Sequence, residues 1–368
     1  MLGGGPAGAS TALALARLGY SVALIEKSAY NEPHIGETLP PHIQPLLVDL
    51  GVWDQFMAQK HSPSFGIRST WGQARVYENN FIFNPYGSGW HLNRARFDLM
   101  LAQAAMQAGV VLWHNARLLC MSDHEKDGWD ITVACAETQP SFRTRFMVDA
   151  TGRAAVFARR QGTRRLTYDR LIGIVGMFAR SSSNSTTSSY TLIEAIESGW
   201  WYAAALPEAI NVAVFMTDAD LYADGSRASA HHWRDQLEKS SLMRSFLKSS
   251  TSLTELRTVA ANSSRLNCIT KKNWLAVGDA AAAFDPLSSQ GVLKAVETGL
   301  RAARAIHDNF TGKSEALEDY ERTICEAFNR YLHMRELYYS QEKRWPQSVF
   351  WHRRHLAEAE PRSEKVSV

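Results

Sequence analysis

Three glycines near the start of the chain have the spacing of a dinucleotide-binding loop. Gly3, Gly5 and Gly8 precede a small-residue helical segment, and an apolar segment after it ends in Glu26. The first glycine permits a tight turn, the second lets backbone approach a pyrophosphate, and the third permits close packing of helix on strand. A carboxylate about twenty residues downstream can bind ribose hydroxyls. The motif predicts a dinucleotide site, but it does not distinguish NAD from FAD.

A second glycine-containing motif lies far downstream. Residues 274–278 form an apolar segment that ends in glycine, and Asp279 follows directly. This aspartate can contact a cofactor, or it can simply cap a helix. Shortly after it, Pro286, Ser289 and Gly291 belong to the segment Phe-Asp-Pro-Leu-Ser-Ser-Gln-Gly, which opens a helix. Backbone N–H groups at a helix start stabilise negative charge on a bound group.

These segments resemble signatures of the FAD-dependent monooxygenases and halogenases. In that superfamily the aspartate contacts the ribityl chain, and the proline-containing loop faces the flavin. Further segments around Glu37, Arg94 and Asp149 resemble the family in the same order. The resemblance implies FAD as cofactor and an α/β fold like that of p-hydroxybenzoate hydroxylase. That fold has a Rossmann-like FAD-binding domain, an inserted antiparallel-sheet substrate domain and C-terminal helices.

The resemblance gives a set of residues that are expected to bind FAD. They are Gly3, Gly5, Pro6, Ala7, Gly8, Glu26, Lys27, Gly36, Glu37, Arg94, Asp149, Gly278, Asp279, Pro286, Ser289, Gln290 and Gly291. The FAD-binding domain is expected at 1–70, 96–165 and 261–312, the substrate domain at 71–95 and 166–260, and a helical region at 313–368. Only Met1 and Leu2 precede the glycine loop, so we expect the native protein to carry roughly 5–10 further N-terminal residues, a first strand.

Two marks of the halogenases are changed in this chain. Their Trp-x-Trp-x-Ile-Pro motif corresponds to a segment with Trp200, Trp201 and Tyr202, in which only the first tryptophan is retained. Their oxidant-holding lysine is missing, because no lysine occurs between positions 60 and 126, and Arg68 lies near the expected place. An arginine keeps the charge but cannot act as a nucleophilic amine. Both changes favour oxygen insertion over halogenation.

The chain further resembles the LodB/GoxB-type flavoproteins, which are encoded beside quinoprotein oxidases. The resemblance implies that reduced FAD reacts with O₂ to a C4a-hydroperoxide, which hydroxylates a tryptophan of a precursor quinoprotein oxidase during tryptophylquinone formation. Electrons come either from NAD(P)H or from a separate flavin reductase. One alternative is a halogenase or hydroxylase of a free small aromatic molecule. Another is a non-catalytic maturation chaperone.

Oxidation of an indole is helped by a group that accepts its N–H proton, because losing that proton enriches the ring in electrons. Candidates for this role or for another catalytic role are Glu37, His34, His91, Asp218 and Arg68. Glu37 is the first choice because its loop is expected beside the flavin. Trp200, Trp201 and Tyr202 are candidates for lining an aromatic pocket, although aromatic residues of strands commonly pack in cores.

Composition argues against several other classes of protein. A net charge of +3 over 368 residues is too small to indicate nucleic-acid binding. No apolar run reaches the roughly 18 residues of a membrane helix, and no secretory leader opens the sequence, so we expect a cytoplasmic protein. The four cysteines are scattered and form no CxxC pair, which favours free thiols over disulfides or a metal site.

Basic and aromatic residues alternate near the end of the chain. They are Lys343, Arg344, Trp345, Phe350, Trp351, Arg353, Arg354 and His355. Such a segment either packs on the protein surface or forms a docking surface for a partner protein or an anionic substrate.

Overall fold

A computed structural model of the chain describes residues 1–124, 128–136, 138–180, 189–222, 226–356 and 362–363. Its helices are α1 Pro6–Arg17, α2 Ile43–Asp49, α3 Trp53–Ala58, α4 Arg94–Gln107, α5 Val156–Arg160, α6 Ser226–Glu238, α7 Ser241–Leu247, α8 Gly291–Phe310, α9 Ala316–Ser340 and α10 Val349–His355. Its strands are β1 Ala23–Ile25, β2 Thr38–Leu39, β3 Ser62–Ser64, β4 Gly66–Thr70, β5 Tyr77–Asn80, β6 Gly89–His91, β7 Val111–Trp113, β8 Ala116–His124, β9 Gly128–Cys135, β10 Ser141–Thr144, β11 Met147–Asp149, β12 Arg165–Thr167, β13 Leu171–Arg180, β14 Tyr190–Ile196, β15 Gly199–Leu206, β16 Ile210–Asp218, β17 Ser250–Ser252, β18 Arg257–Ala260, β19 Ser264–Leu266, β20 Thr270–Lys271, β21 Trp274–Ala276, β22 Ala282–Ala283 and β23 Arg362–Ser363.

A largely parallel sheet forms the first layer, which carries the glycine loop. β1 pairs with β7 and β11 pairs with β21, both in parallel, and β20 adds an antiparallel edge. Leu2 bridges to Ile25 on one side and to Asp149 on the other, so it lies where a central strand joins the two halves. The carboxyl ends of parallel strands meet at one edge, and this edge is where open α/β sheets bind ligands. The predicted α/β, Rossmann-like class is confirmed.

The second layer is an eight-stranded sheet in the order β17-β13-β16-β15-β14-β4-β5, with β18 also paired to β13. Neighbouring strands run antiparallel, except that β14 and β4 run parallel. The predicted antiparallel sheet is therefore present with one parallel pair. That pair arises because β4 and β5 come from the early part of the chain and join the later strands at one edge.

Alternation along β15 gives this sheet two different faces. Trp200 and Tyr202 belong to a buried cluster that includes Tyr339 of α9 and residues of α10. Trp201 belongs to a second cluster with Trp233 of α6. Because successive side chains of a strand point to opposite faces, one face of the sheet packs toward α9 and α10, and the other packs toward α6 and α7.

Small residues bring α1 close to α8 and to the parallel sheet of the first layer. α1 packs mainly against α8 and α4. A Cβ on Gly299 of α8 would lie only 2.8 Å from the carbonyl oxygen of Ala7 in α1. Within the described residues, no helix combines the length and the apolarity needed to cross a membrane.

Candidate active site

The glycine loop before α1 is shaped to hold an anion with its backbone. Gly3 has a φ of +97°, and a Cβ there would collide with the carbonyl of Ala150. A Cβ on Gly8 would collide with the carbonyl of Gly3, whereas a Cβ on Gly5 would meet no atom within 4 Å. Gly5 caps α1 without a side-chain hydrogen bond. The start of the helix, where Pro6 is the first residue, is therefore open to a phosphate.

Glu26 and Tyr30 hold the glycine loop from the end of β1. The Glu26 carboxylate accepts hydrogen bonds from the N–H groups of Gly4 at 2.6 Å and Ser28 at 2.8 Å. The Tyr30 hydroxyl donates to the carbonyl oxygen of Gly4 at 3.0 Å. Each carboxylate oxygen keeps a second lone pair, so Glu26 can also accept from ribose hydroxyls. Lys27 is exposed beside it, and Tyr30 was not among the residues predicted from the sequence.

The Gly-Asp turn lies against the same loop. Gly278 has a φ of +57°, and a Cβ there would lie 2.8 Å from the Cβ of Ala7. The Asp279 carboxylate contacts the ammonium of Lys294 at 2.7 Å and Nε of Arg153 at 3.8 Å. Burial alone would raise the pKa of Asp279, but these two cations hold it below its usual range. The side chain is 38 % exposed, so its charged carboxylate can accept hydrogen bonds from a hydroxyl-bearing ligand.

Lys294 is a candidate functional residue that the sequence analysis missed. Its ammonium also donates to the carbonyl oxygen of Ala282 and lies 4.3 Å from the ring centre of Phe284. It occupies the buried side of α8 with Val292 and Val296. Lysines are almost never buried without a partner. A lysine within the apolar stripe of an amphipathic helix is thus the signal that could have identified it.

The proline-containing loop forms the start of α8. A 3₁₀ turn at Pro286–Ser288 leads to Ser289, which is left-handed with a φ of +51°. Gln290 caps α8 without a side-chain hydrogen bond, and a Cβ on Gly291 would meet no atom within 4 Å. The loop therefore presents an open helix start, and this shape fits the expected contact with a flavin ring.

Asp285, just before this turn, is held by α9. Its N–H donates to the Tyr331 hydroxyl, and its Oδ2 accepts from the Tyr339 hydroxyl, each at 2.7 Å. The buried indole N–H of Trp200 donates to the Tyr339 oxygen at 3.0 Å. Burial, followed by repulsion from Asp169, raises the pKa of Asp285 to about 6. Trp200 is fully buried, and it supports the loop through Tyr339.

Arg94 fixes the loop that leads into β2. Its guanidinium donates to the carbonyl oxygens of Ile35 at 2.8 Å and Gly36 at 3.1 Å. It also binds Asp98 through N···O contacts of 3.1 and 2.9 Å. Gly36 has a φ of +99°, which favours glycine at this turn. His34 is 40 % exposed and lies 3.6 Å from Asp98, so it stands at the edge of this ion pair.

The Glu37 carboxyl is buried directly before β2, a strand that contacts α8. Its Oε2 accepts from the N–H of Gly36 at 3.1 Å and from the Tyr202 hydroxyl at 3.5 Å. Among the described residues, Oε1 has no hydrogen-bond partner. Burial raises the pKa of Glu37, and the smaller effects of its hydrogen bonds and of Arg94 oppose it. Arg94 interacts electrostatically with both Glu37 and Asp279.

The structure separates the three aromatic residues that were predicted to line a pocket. Tyr202 faces Glu37 on one side of β15. Trp201 points to the opposite side, where its ring centre lies 4.9 Å from that of Trp233 and 5.1 Å from that of Phe215. The separation follows from the alternation of side chains along a strand. Trp201 is a core residue away from the Glu37 carboxyl.

Arg68 also lies on this opposite side of the sheet. Its register pairs it with Leu192, which packs in the same cluster as Trp201. Its Nε contacts Glu78 at 2.8 Å, and its guanidinium lies 4.2 Å from the ring centre of Tyr190. The structure thus places the Arg68 guanidinium and the Glu37 carboxyl on opposite faces of the sheet.

Asp218 and Asp149 are bound by structural partners. Buried Asp218 contacts Arg354 at 2.8 Å and Arg353 at 3.0 Å. Asp149 accepts from the N–H of Thr151 at 3.0 Å, from its hydroxyl at 2.6 Å, and from a backbone N–H in the first turn of α5 at 2.8 Å. Asp218 therefore anchors α10, and Asp149 shapes the turn after β11 instead of projecting toward a ligand.

The basic and aromatic segment near the C-terminus folds back onto the protein. Phe350 and Trp351 are fully buried, and the indole N–H of Trp351 donates to a carbonyl oxygen of β14 at 2.9 Å. Arg344, Arg353 and Arg354 are paired with acidic side chains of the same chain. These internal pairs favour the packed alternative over a docking surface.

Comparisons with known proteins agree with this geometry. A family model described as an FAD binding domain matches residues 1–333. LodB of Marinomonas mediterranea, which carries the name of an FAD-dependent oxidoreductase, is 29% identical over 364 residues, 98% of this chain and 97% of LodB. A tryptophan 2-halogenase of Chondromyces crocatus is 26% identical over 98% of this chain and 71% of its own length.

Solved structures with this fold include halogenases and one peptidyl hydroxylase. The flavin-dependent halogenase CmlS superposes with a TM-score of 0.87 at 24% identity, over 98% of this chain and 67% of CmlS. The peptidyl tryptophan dihydroxylase QhpG, described as essential for tryptophylquinone cofactor biogenesis, superposes with a TM-score of 0.78 at 23% identity, over 96% of this chain and 77% of QhpG.

Proposed function

Because the chain belongs to the FAD-binding-domain family of flavin-dependent oxidoreductases, we propose that it is a monooxygenase that hydroxylates the indole ring of a tryptophan in a partner protein. The observation that carries this proposal is the buried Glu37 carboxyl with an unpartnered oxygen, beside the motifs that fit FAD. LodB, which the chain matches over nearly its full length, and QhpG, whose described substrate is a peptidyl tryptophan, support the choice of substrate.

The residues of the site divide into groups that bind the cofactor and one that acts on substrate. The open starts of α1 and α8 and the ionised Asp279 would hold FAD. When bound and reduced, FAD would supply the activation of O₂, of which one atom would enter the ring and the other would leave as water. The hydroxylation also consumes two electrons, which come from NAD(P)H or from a separate flavin reductase. The ionised form of Glu37 accepts the indole N–H proton, because a base with a raised pKa is suited to proton transfer near neutral pH.

A halogenase acting on a free aromatic molecule is the second candidate, and the halogenase relatives favour it. Against it stands the placement of Arg68, which pairs with Glu78 on the far side of the sheet. That placement leaves no basic group from β4 beside Glu37 to hold a hypohalous oxidant. A non-catalytic chaperone, the remaining candidate, predicts no consumption of O₂.

The test is a single-turnover reaction. The flavoprotein is reduced anaerobically and mixed with O₂, with and without the product of a neighbouring quinoprotein oxidase gene, which is then analysed by mass spectrometry. We expect a gain of about one or two oxygen atoms on one tryptophan. An unmodified partner, together with turnover or halide incorporation on free indoles, would instead establish a small-molecule enzyme.

A matched pair of variants tests the role of the carboxyl. Glu37→Gln should lower the rate of hydroxylation about 100-fold or more, in line with the loss of a general base. Glu78→Gln makes the same chemical change at an exposed ion pair on the other face of the sheet. It should leave the rate unchanged. Equal rates for both variants would remove Glu37 from the mechanism.

A further inference from the structure

A line of buried side chains leads from Glu37 to His91 on β6. We propose that Glu37 and His91 share one proton through the hydroxyl groups of Tyr202, Thr38 and Thr191, so that His91 is a positioning residue that sets the protonation state of the base. The proposal rests on the proposed function for the role of Glu37. The hydrogen-bonded chain itself rests only on contacts within the protein.

The contacts are continuous across four strands, β15, β2, β14 and β6. The Tyr202 hydroxyl lies 3.5 Å from Oε2 of Glu37 and 2.8 Å from the hydroxyl of Thr38. The Thr38 hydroxyl lies 3.3 Å from that of Thr191, which lies 3.0 Å from Nε2 of His91. The side chains of Thr191 and His91 are fully buried, so bulk water does not substitute for a missing partner.

At its His91 end, the hydrogen-bonded chain has a fixed direction of donation. Nδ1 of His91 lies 3.1 Å from the carbonyl oxygen of Ala205, which can only accept a hydrogen bond, so Nδ1 must carry a proton. If the imidazole is neutral, Nε2 is an acceptor and Thr191 donates to it. Each hydroxyl has a single proton. Thr38 must then donate to Thr191, and the phenol of Tyr202 must donate to Thr38.

The direction of these hydrogen bonds determines the protonation state of Glu37. With the phenol proton directed toward the threonines, the contact between Tyr202 and Glu37 is a hydrogen bond only if Glu37 is protonated. If Glu37 is ionised, the phenol donates to it and every hydroxyl reverses. Nε2 of His91 must then donate as well, and the imidazole is charged. All contacts are satisfied in two states, and these differ only in whether one proton resides on Glu37 or on His91.

An ionised Glu37 opposite a neutral His91 breaks one link of the chain. Burial favours the neutral imidazole, because it lowers the pKa of His91 to about 4, against the opposing effect of the Ala205 carbonyl. Arg94 from α4 and the N–H groups of Gly36 and Glu37 face the carboxyl and stabilise its ionised form. Tyr202 from β15 does so only when its phenol proton is directed to Glu37, and a neutral His91 opposes that direction. The chain therefore adds to the effect of burial, and it keeps Glu37 protonated to a higher pH than the carboxyl alone would be.

Thr191→Val is the decisive variant, because it removes one hydroxyl and keeps the shape of the side chain. Without that hydroxyl, Thr38 can donate to Tyr202 and Tyr202 to an ionised Glu37 while His91 stays neutral. We expect the apparent pKa of Glu37 to fall by about one pH unit, the effect of one restored hydrogen bond. Thr191→Ser retains the hydroxyl and should titrate like the unmodified protein.

The titration is followed without substrate, in infrared difference spectra of the purified flavoprotein, as the protonated-carboxyl band that Glu37→Gln abolishes. A downward shift in Thr191→Val together with an unchanged midpoint in Thr191→Ser supports the shared proton, because general loosening of the site at this position would shift both variants. An unchanged midpoint in Thr191→Val, or equal shifts in the valine and serine variants, would overturn it. A partner tryptophan that stays unmodified while these shifts occur would refute the proposed function and leave the chain standing.

Discussion

Lys294→Met tests whether the buried ion pair behind the Gly-Asp turn prepares the site for FAD. Methionine has a similar length and preserves the packing on Phe284, but it removes the ammonium that contacts Asp279 at 2.7 Å. Removing one partner of a fully buried ion pair costs about 3–5 kcal/mol. Because Asp279 is 38 % exposed and keeps Arg153 at 3.8 Å, we expect a smaller loss of about 1–3 kcal/mol in the free energy of unfolding.

The same variant should weaken FAD binding about tenfold, equivalent to about 1.4 kcal/mol, because Asp279 loses the contact that orients it. Flavin fluorescence measures the dissociation constant, and denaturant unfolding of the apoprotein measures stability separately. Lys313→Met is the matched control, since Lys313 forms an exposed pair with Asp308 at 2.9 Å and such pairs contribute little. Unchanged affinity and stability in Lys294→Met would show that the pair has no role in holding the cofactor.

Three further predictions concern carboxylates. Asp279→Ala should raise the FAD dissociation constant about 10- to 100-fold, through loss of a charge-assisted hydrogen bond; normal flavin content after dialysis would contradict this. Asp285 has a pKa raised to about 6, so the folded state binds the extra proton, and the free energy of unfolding should fall by roughly 2–3 kcal/mol as pH rises from about 4 to 6. Asp285→Asn should flatten that dependence in urea titrations. Arg354→Ala should lower the free energy of unfolding by about 2–3 kcal/mol, because buried Asp218 loses its closest partner; thermal denaturation should detect this, with FAD affinity retained.

The parts of the site that the sequence predicted depend on local rules. Gly3, Gly5 and Gly8 have fixed spacing within one turn, and Gly278 with Asp279 follows directly from a buried strand. Parallel strands end at a common edge, so these motifs could be expected to meet without knowledge of any side-chain contact. The same rule explains why the fold class was predicted correctly.

Most of the roles that the sequence did not indicate arise from contacts between residues that are distant in sequence. Asp218 forms an ion pair with Arg354, 136 residues further along the chain, and no local pattern signals that pair. Lys294 is a different case, since its place in an apolar helical stripe was visible. Trp201 could also have been separated from Tyr202, because one residue along a strand reverses the face.

The partners of the buried carboxyl groups distinguish structural positions from the chemical one. Asp98 and Asp218 each contact arginine at 2.9 Å or less. The pair of Asp98 lies within α4, and the pair of Asp218 fixes α10 to β16. Glu37 is as deeply buried but has an oxygen without a partner among the described residues. An unpaired buried carboxyl raises the free energy of the folded state, so stability alone does not account for it. The hydrogen-bonded chain to His91 gives its proton a second position, and while the proton lies on His91 the Glu37 carboxylate is ionised and can accept another.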